Sequence, residues 1–107
     1  MSAEEDGVYH AVYIWKFKTA EYRQEMLDFL STNEKGLQLT RKWKGFISLE
    51  CRYSMDDEES LFMWGKYESK ADYQAYAKMR IESEFFKPWM QKMSAPPVMM
   101  QLSNKSI

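Results

Sequence analysis

Val8-Tyr9-His10-Ala11-Val12-Tyr13-Ile14-Trp15-Lys16-Phe17 is a ten-residue run dominated by β-branched and aromatic side chains, the composition of a strand. Successive side chains of a strand point to opposite faces. Tyr9, Ala11, Tyr13 and Trp15 therefore share one face, and Val8, His10, Val12 and Ile14 the other. Both sets are largely apolar, and a strand that is apolar on both faces is covered on both faces. The chain's own helices can supply one cover. The other must come from outside the domain.

Working outward, Thr19 is placed to cap a helix starting at Ala20, since its hydroxyl can accept an orphan N–H of the first turn. Tyr22, Met26, Phe29 and Leu30 fall on one stripe of that helix, the spacing of an amphipathic face. Ser31-Thr32-Asn33 and Gly36 loosen the pattern, a short second helix is expected over residues 37–42, and Gly45 punctuates. Residues 46–53 alternate as a second strand, with Ile47, Leu49, Cys51 and Tyr53 on one face and Phe46, Ser48, Glu50 and Arg52 on the other. The acidic segment 55–60 links it to a third strand over 61–67, which reads as a hairpin. Ser69-Lys70-Ala71-Asp72 has the spacing of a capping box and opens a helix carrying Tyr73, Tyr76, Ala77 and Ile81. Pro88 lacks an N–H and clashes with a preceding helical turn. A break is therefore expected between Ile81 and Pro88, with a short helix through Met93 beyond it. Pro96-Pro97 ends that helix, and 98–102 forms a last, Met-rich strand.

The order is β, α, β, β, α, β, without repeats. It predicts an α+β, ferredoxin-like βαββαβ domain over residues 8–102, with both helices on one face of a four-stranded antiparallel sheet. Residues 1–7 and 103–107 read as polar tails. The chain has 107 residues, 45% of them hydrophobic, with 4 Trp, 7 Tyr, 6 Phe and 9 Met. That is more apolar surface than a two-layer domain of this size hides, so a second copy packing sheet to sheet is the economical cover.

A formal charge of −1 from 15 basic and 16 acidic residues provides no basic field for nucleic acid. The single cysteine, Cys51, excludes an intrachain disulfide and suits a reducing compartment. No apolar run reaches the 18 residues of a membrane span, and residues 1–6 lack the charged and apolar regions of a signal peptide. The expectation is a soluble cytoplasmic protein.

Three stretches resemble the antibiotic-biosynthesis-monooxygenase-like family of dimeric α+β barrel proteins. Trp43-Lys44-Gly45-Phe46-Ile47-Ser48-Leu49-Glu50 is similar to that family's passage from the first helical region into strand two. Tyr67-Glu68-Ser69-Lys70-Ala71-Asp72-Tyr73-Gln74-Ala75-Tyr76 is similar to its junction between strand three and the next helix, and Ser83-Glu84-Phe85-Phe86 to the segment before its last helical turn. The resemblance implies the dimeric barrel and a small-molecule enzyme. It departs from the family where the junction Trp is Tyr67 and the frequent His is Tyr76. The heme-degrading members carry an Asn on strand one and a His ligand. Here residues 7–18 contain no Asn and no His follows His10.

The chemistry-bearing candidates follow. His10, the sole imidazole, is the candidate proton acceptor. Tyr76 or Tyr13 is the candidate phenol donor to a developing oxyanion. Trp15, Trp64, Tyr67, Phe86 and Trp89 could line a site for a planar aromatic or quinone-like molecule. Trp64 and Tyr67 have opposite strand parity, so both can face one site only if the strand is bulged. One His and one Cys make a poor metal set, and the acidic hairpin reads as a solvated tip. The leading expectation is a cofactor-independent monooxygenase acting on a hydrophobic aromatic substrate. The alternatives are a non-catalytic dimer that binds a hydrophobic ligand or heme, and an interaction protein whose interior is packed shut.

Overall fold

The computed structural model describes residues 7–83 and 86–102. The remainder of the two tails, and Glu84 and Phe85 of the third resembling stretch, lie outside the described residues. The elements are β1 (Tyr9–Lys16), α1 (Ala20–Thr32), α2 (Leu37–Lys42), β2 (Phe46–Tyr53), β3 (Ser60–Tyr67), α3 (Lys70–Glu82), α4 (Phe86–Gln91) and β4 (Val98–Leu102). The sheet order is β2–β3–β1–β4, with every neighbouring pair antiparallel. This is the ferredoxin-like α+β architecture expected from the element order.

Strand parity decides what is inside. On β3, Leu61, Met63, Gly65 and Tyr67 are buried beneath the helices while their neighbours are half-buried on the opposite face. Tyr13 pairs with Met63, and Ala11 with Gly65, so β1 sends its buried residues to the same side. Met26 and Leu30 of α1 close over them, with Tyr22 and Phe29 half-buried beside them. Each large apolar side chain buried there contributes about 1.5–3 kcal/mol.

The structure corrects the reading of β2. Its register shifts between Phe46 and Ser48, so Phe46 pairs with Tyr67 and turns to the helix side, while Ile47 is left exposed. Phe46 then meets Tyr67 edge to face at 5.8 Å. A one-residue bulge reverses parity, which simple alternation could not foresee. The last helix also differs: α4 stops at Gln91, and Met93 instead bridges to Phe17. The Ser94 N–H donates to the Lys16 carbonyl at 2.9 Å. Pro96 and Pro97 have no N–H to continue this pairing, so β4 begins afresh at Val98.

Both long helices start where the sequence places them. The Thr19 hydroxyl accepts the Tyr22 N–H at 3.1 Å and the Ser69 hydroxyl accepts the Asp72 N–H at 3.1 Å. Ser69→Ala removes that acceptor and is expected to cost about 1 kcal/mol, read as a lower urea midpoint at unchanged slope. Behind the cap, Gly45 adopts φ 84°, a left-handed conformation that favours glycine. Its carbonyl accepts the Glu68 N–H at 2.7 Å, which fixes the start of β2 against the end of β3.

Candidate functional site

Between the helices and the buried face of the sheet lies a cavity of about 120 Å³. Tyr13, Trp15 and Met63 form its floor, Leu30 and Leu37 one side, and Tyr73, Tyr76 and Arg80 of α3 the other. Phe86, Pro97 and Met99 stand at its outer end, with Ile81 beside them. Met99 and Ile81 are 60% and 64% exposed, so this end opens to solvent. An apolar cavity of roughly 150 Å³ is known to take up benzene. The space here is that of one aromatic ring, well below the roughly 300–1,000 Å³ of sites for drug-sized ligands.

The walls are apolar except at one corner. There the Tyr76 hydroxyl lies 2.7 Å from Thr40 Oγ1 and accepts a hydrogen bond from Arg80 Nε at 2.9 Å. Arg80 Nη2 also donates to the Gly36 carbonyl and to Thr40 Oγ1, each at 2.9 Å, and Nη1 donates to the Lys35 carbonyl. Gly36 is required there by close approach: a Cβ on it would sit 2.6 Å from the Phe29 carbonyl oxygen. Trp43 holds the far side of the Tyr76 ring edge-on at 5.9 Å. The corner is thus a phenol fixed by a buried guanidinium, a threonine hydroxyl and an indole. If Thr40 donates its proton to Tyr76, the phenol oxygen accepts twice and its own O–H is left to point into the cavity.

The neighbouring phenols are held in their neutral form. Burial pushes Tyr13 well above the ordinary phenol range, and the nearby phenols Tyr67, Tyr76 and Tyr73 add to the shift. Tyr67 is likewise raised, chiefly by burial. Tyr73 is pushed up to about 12, first by burial and then by Tyr9 and Tyr76. At neutral pH these groups are donors and not bases. They also set an alkaline limit. An unfolded phenol releases its proton near pH 10, whereas folded Tyr73 keeps its own to about 12. Folding is therefore fully favoured below pH 10 and loses that contribution as pH climbs from 10 to 12. Tyr73→Phe should flatten the fall in urea midpoint across this window.

The expected site residues divide into three groups. Tyr13, Trp15, Tyr76 and Phe86 converge on the cavity. Tyr67 and Trp89 lie behind its wall: Tyr67 packs on Tyr73 at 5.1 Å and Tyr76 at 5.7 Å, and Trp89 packs on Phe29 at 5.8 Å. His10 and Trp64 lie across the sheet, on the face away from the helices, where Trp64 Nε1 donates to His10 Nδ1 at 3.2 Å. Within the single chain, His10 and Trp64 therefore stand apart from Tyr13, Trp15, Tyr76 and Phe86. β3 has no bulge at Trp64, so parity keeps it opposite Tyr67, and β1 carries His10 to the same outer side.

Arg80, Thr40 and Tyr73 are site residues that sequence reasoning missed. Arg80 had a signal: it is 8% exposed and falls seven residues after Tyr73, in the stripe of Tyr73, Tyr76 and Ala77. A charged residue in a buried helical stripe needs polar partners, and the preceding loop supplies them. Ile81, expected on that stripe, stands instead at the mouth. Among the described residues, no three His, Cys, Asp or Glu side chains gather as a metal site, and no helix is long and apolar enough to cross a membrane.

Element order and sheet topology define a ferredoxin-like α+β domain, a fold shared with solved structures of varied description. A monooxygenase of Streptomyces coelicolor solved with nanaomycin D superposes with a TM-score of 0.70 at 14% identity, covering 95% of this chain and 91% of that one. A protein of Nitrosomonas europaea, provisionally named an antibiotic biosynthesis monooxygenase, gives 0.71 at 13% identity, covering 97% and 95%. A protein from an uncultured marine organism, described as dimeric and ferredoxin-like, gives 0.73 at 10% identity, covering 94% and 98%. At these identities the likeness establishes the fold. No sequence-family model matches the chain, and no curated protein matches it.

Proposed function

We propose that this protein is a homodimeric small-molecule enzyme whose cavity receives a single-ring phenol or quinol and oxygenates it without a cofactor. The carrying observation is the one polar corner in an otherwise apolar cavity, built from Tyr76 with Arg80 and Thr40 behind it. Apolar walls take the ring, and the Tyr76 O–H meets its oxygen. Donors fixed in place stabilise negative charge as it develops on that oxygen, with no reorganisation at the moment of reaction. A quinol brings its own electrons. One oxygen atom of O₂ enters the ring as a hydroxyl, the other leaves as water with two hydrogens of the substrate, and the product is the hydroxyquinone. The dimer reading draws on the half-covered outer sheet face and on the dimeric relative of the same fold.

A second reading, binding without turnover, draws on the wall itself. The described residues lining the cavity include no carboxylate or imidazole to act as base, and His10 is across the sheet. The cavity, about 120 Å³ and sized for one ring, lends no support to the heme alternative. Oxygen uptake with p-hydroquinone and methyl-hydroquinone separates the two. Uptake above the autoxidation rate supports the enzyme; tight binding without uptake supports the binder. Tyr76→Phe should lower affinity or turnover about tenfold, the value of one hydrogen bond to a charged oxygen, while His10→Ala leaves both unchanged. A wild type that neither binds nor consumes oxygen with these compounds would overturn both.

A further inference from the structure

The cavity mouth and the outer sheet face meet at β4. Pairing of Tyr13 with Met99 turns Met99 to the helix side, and pairing of Ile14 with Val98 and Val12 with Met100 turns Val98 and Met100 to the outer side. All three are about 60% exposed, at 59% for Val98, 60% for Met99 and 58% for Met100. β4 is also an end strand, with β1 as its neighbour on one side only. The outer face is asymmetric. Its apolar residues are Val12 and Ile14 on β1, Phe62 and Trp64 on β3, and Val98, Met100 and Leu102 on β4, whereas β2 presents Glu50 and Arg52, paired at 3.1 Å and exposed. The apolar patch is therefore displaced toward β4. A cover that follows it overhangs the β4 edge and reaches the rim formed by Met99 and Ile81.

From this geometry we infer that the second copy of the chain completes the mouth of the cavity, so that each ligand site is finished only in the dimer. The inference rests on the ligand-binding reading above and adds to it that a lone chain has an open-ended site. Apolar surface exposed continuously around a strand edge is costly in water, and one partner surface that covers the outer side of β4 removes the rim beside it as well. The partner's contribution is an apolar wall against Met99 and Ile81, and not a catalytic group.

Ile14→Glu tests this without touching the cavity, because Ile14 is on the outer face and 40% exposed in the single chain. The variant should be a folded monomer by sedimentation and circular dichroism. Its affinity for p-nitrophenol by titration calorimetry should fall at least tenfold. A ligand-free measurement accompanies it: in a Cys51→Ser background, the thiol of Met99→Cys should react with a maleimide at least tenfold more slowly in the dimer than after addition of Ile14→Glu. Equal affinity in monomer and dimer, or equal labelling rates, overturns the inference while leaving the binding reading intact. A wild-type dimer that ignores the probe overturns the binding reading, and slowed labelling would then still support a mouth covered by the second copy. A wild type that is monomeric while binding the probe overturns the shared site directly.

Discussion

Arg80→Ala should cost about 3 kcal/mol of folding free energy, taking charged hydrogen bonds at about 1.5–3 kcal/mol each and allowing for their non-additivity. For a domain of this size that lowers Tm by roughly 10–20 °C. Arg80 joins α3 to the start of α2 by donating to the Lys35 and Gly36 carbonyls, the Thr40 hydroxyl and the Tyr76 phenol. Truncation leaves those acceptors in a corner where Thr40 is 1% and Tyr76 8% exposed. Arg80→Lys keeps a charge but not the planar fork that reaches four acceptors, and should recover less than half of the loss. Thermal melts of the three proteins decide the matter. A fall of only a few degrees in Arg80→Ala would mean that the corner is wet and that Tyr76 is held by its ring contacts alone.

The second large effect is expected at Gly45. A Cβ there would lie 2.2 Å from Asp72 Oδ2 and 2.4 Å from Asp72 Cγ, and φ is 84°. The left-handed conformation costs an L-residue roughly 1–2 kcal/mol, and an overpacked contact typically adds about 1–3 kcal/mol. Gly45→Ala should therefore destabilise by about 3 kcal/mol in urea titration. The Ser69 cap holds the Asp72 N–H, and the Asp72 Cβ, fixed to that backbone, would itself lie 2.6 Å away, so rotating the carboxylate relieves only part of the contact. In an Asp72→Ala background the carboxylate contacts are gone, while the 2.6 Å contact with the residue-72 Cβ and the backbone strain remain. The two substitutions should then be less than additive. Full additivity would mean that the Asp72 side chain simply swings away.

How far the molecule could be read beforehand depended on whether a feature is periodic. The strand from Tyr9 to Lys16, the caps at Thr19 and Ser69 and the stripe of Tyr22, Met26, Phe29 and Leu30 are local patterns, and each forms as spaced. Phe46 shows the limit. One unpaired residue in β2 reverses which face it occupies, and nothing in the residues 46–53 themselves announces it. The cavity was legible where parity settled it, as for Tyr13 and Trp15. It was illegible where a group's role is set by distant partners. Arg80 is bound to atoms some 40 positions away in sequence, so its meaning arises only when α3 docks on the loop before α2. His10 and Trp64 drew interest for their chemistry, but parity alone sent both to the other face.

The two margins of the sheet also differ in kind. The β2 margin carries an irregular register beside Ile47 and the opposed charges of Glu50 and Arg52, features that discourage strand-to-strand addition. The β4 margin, Val98-Met99-Met100-Gln101-Leu102, has no charge. Polymerisation by strand addition needs two adhesive margins per molecule, and among the described residues the sheet offers one. Self-association of such a one-ended unit closes after a single step as a two-fold pair and does not propagate into a filament.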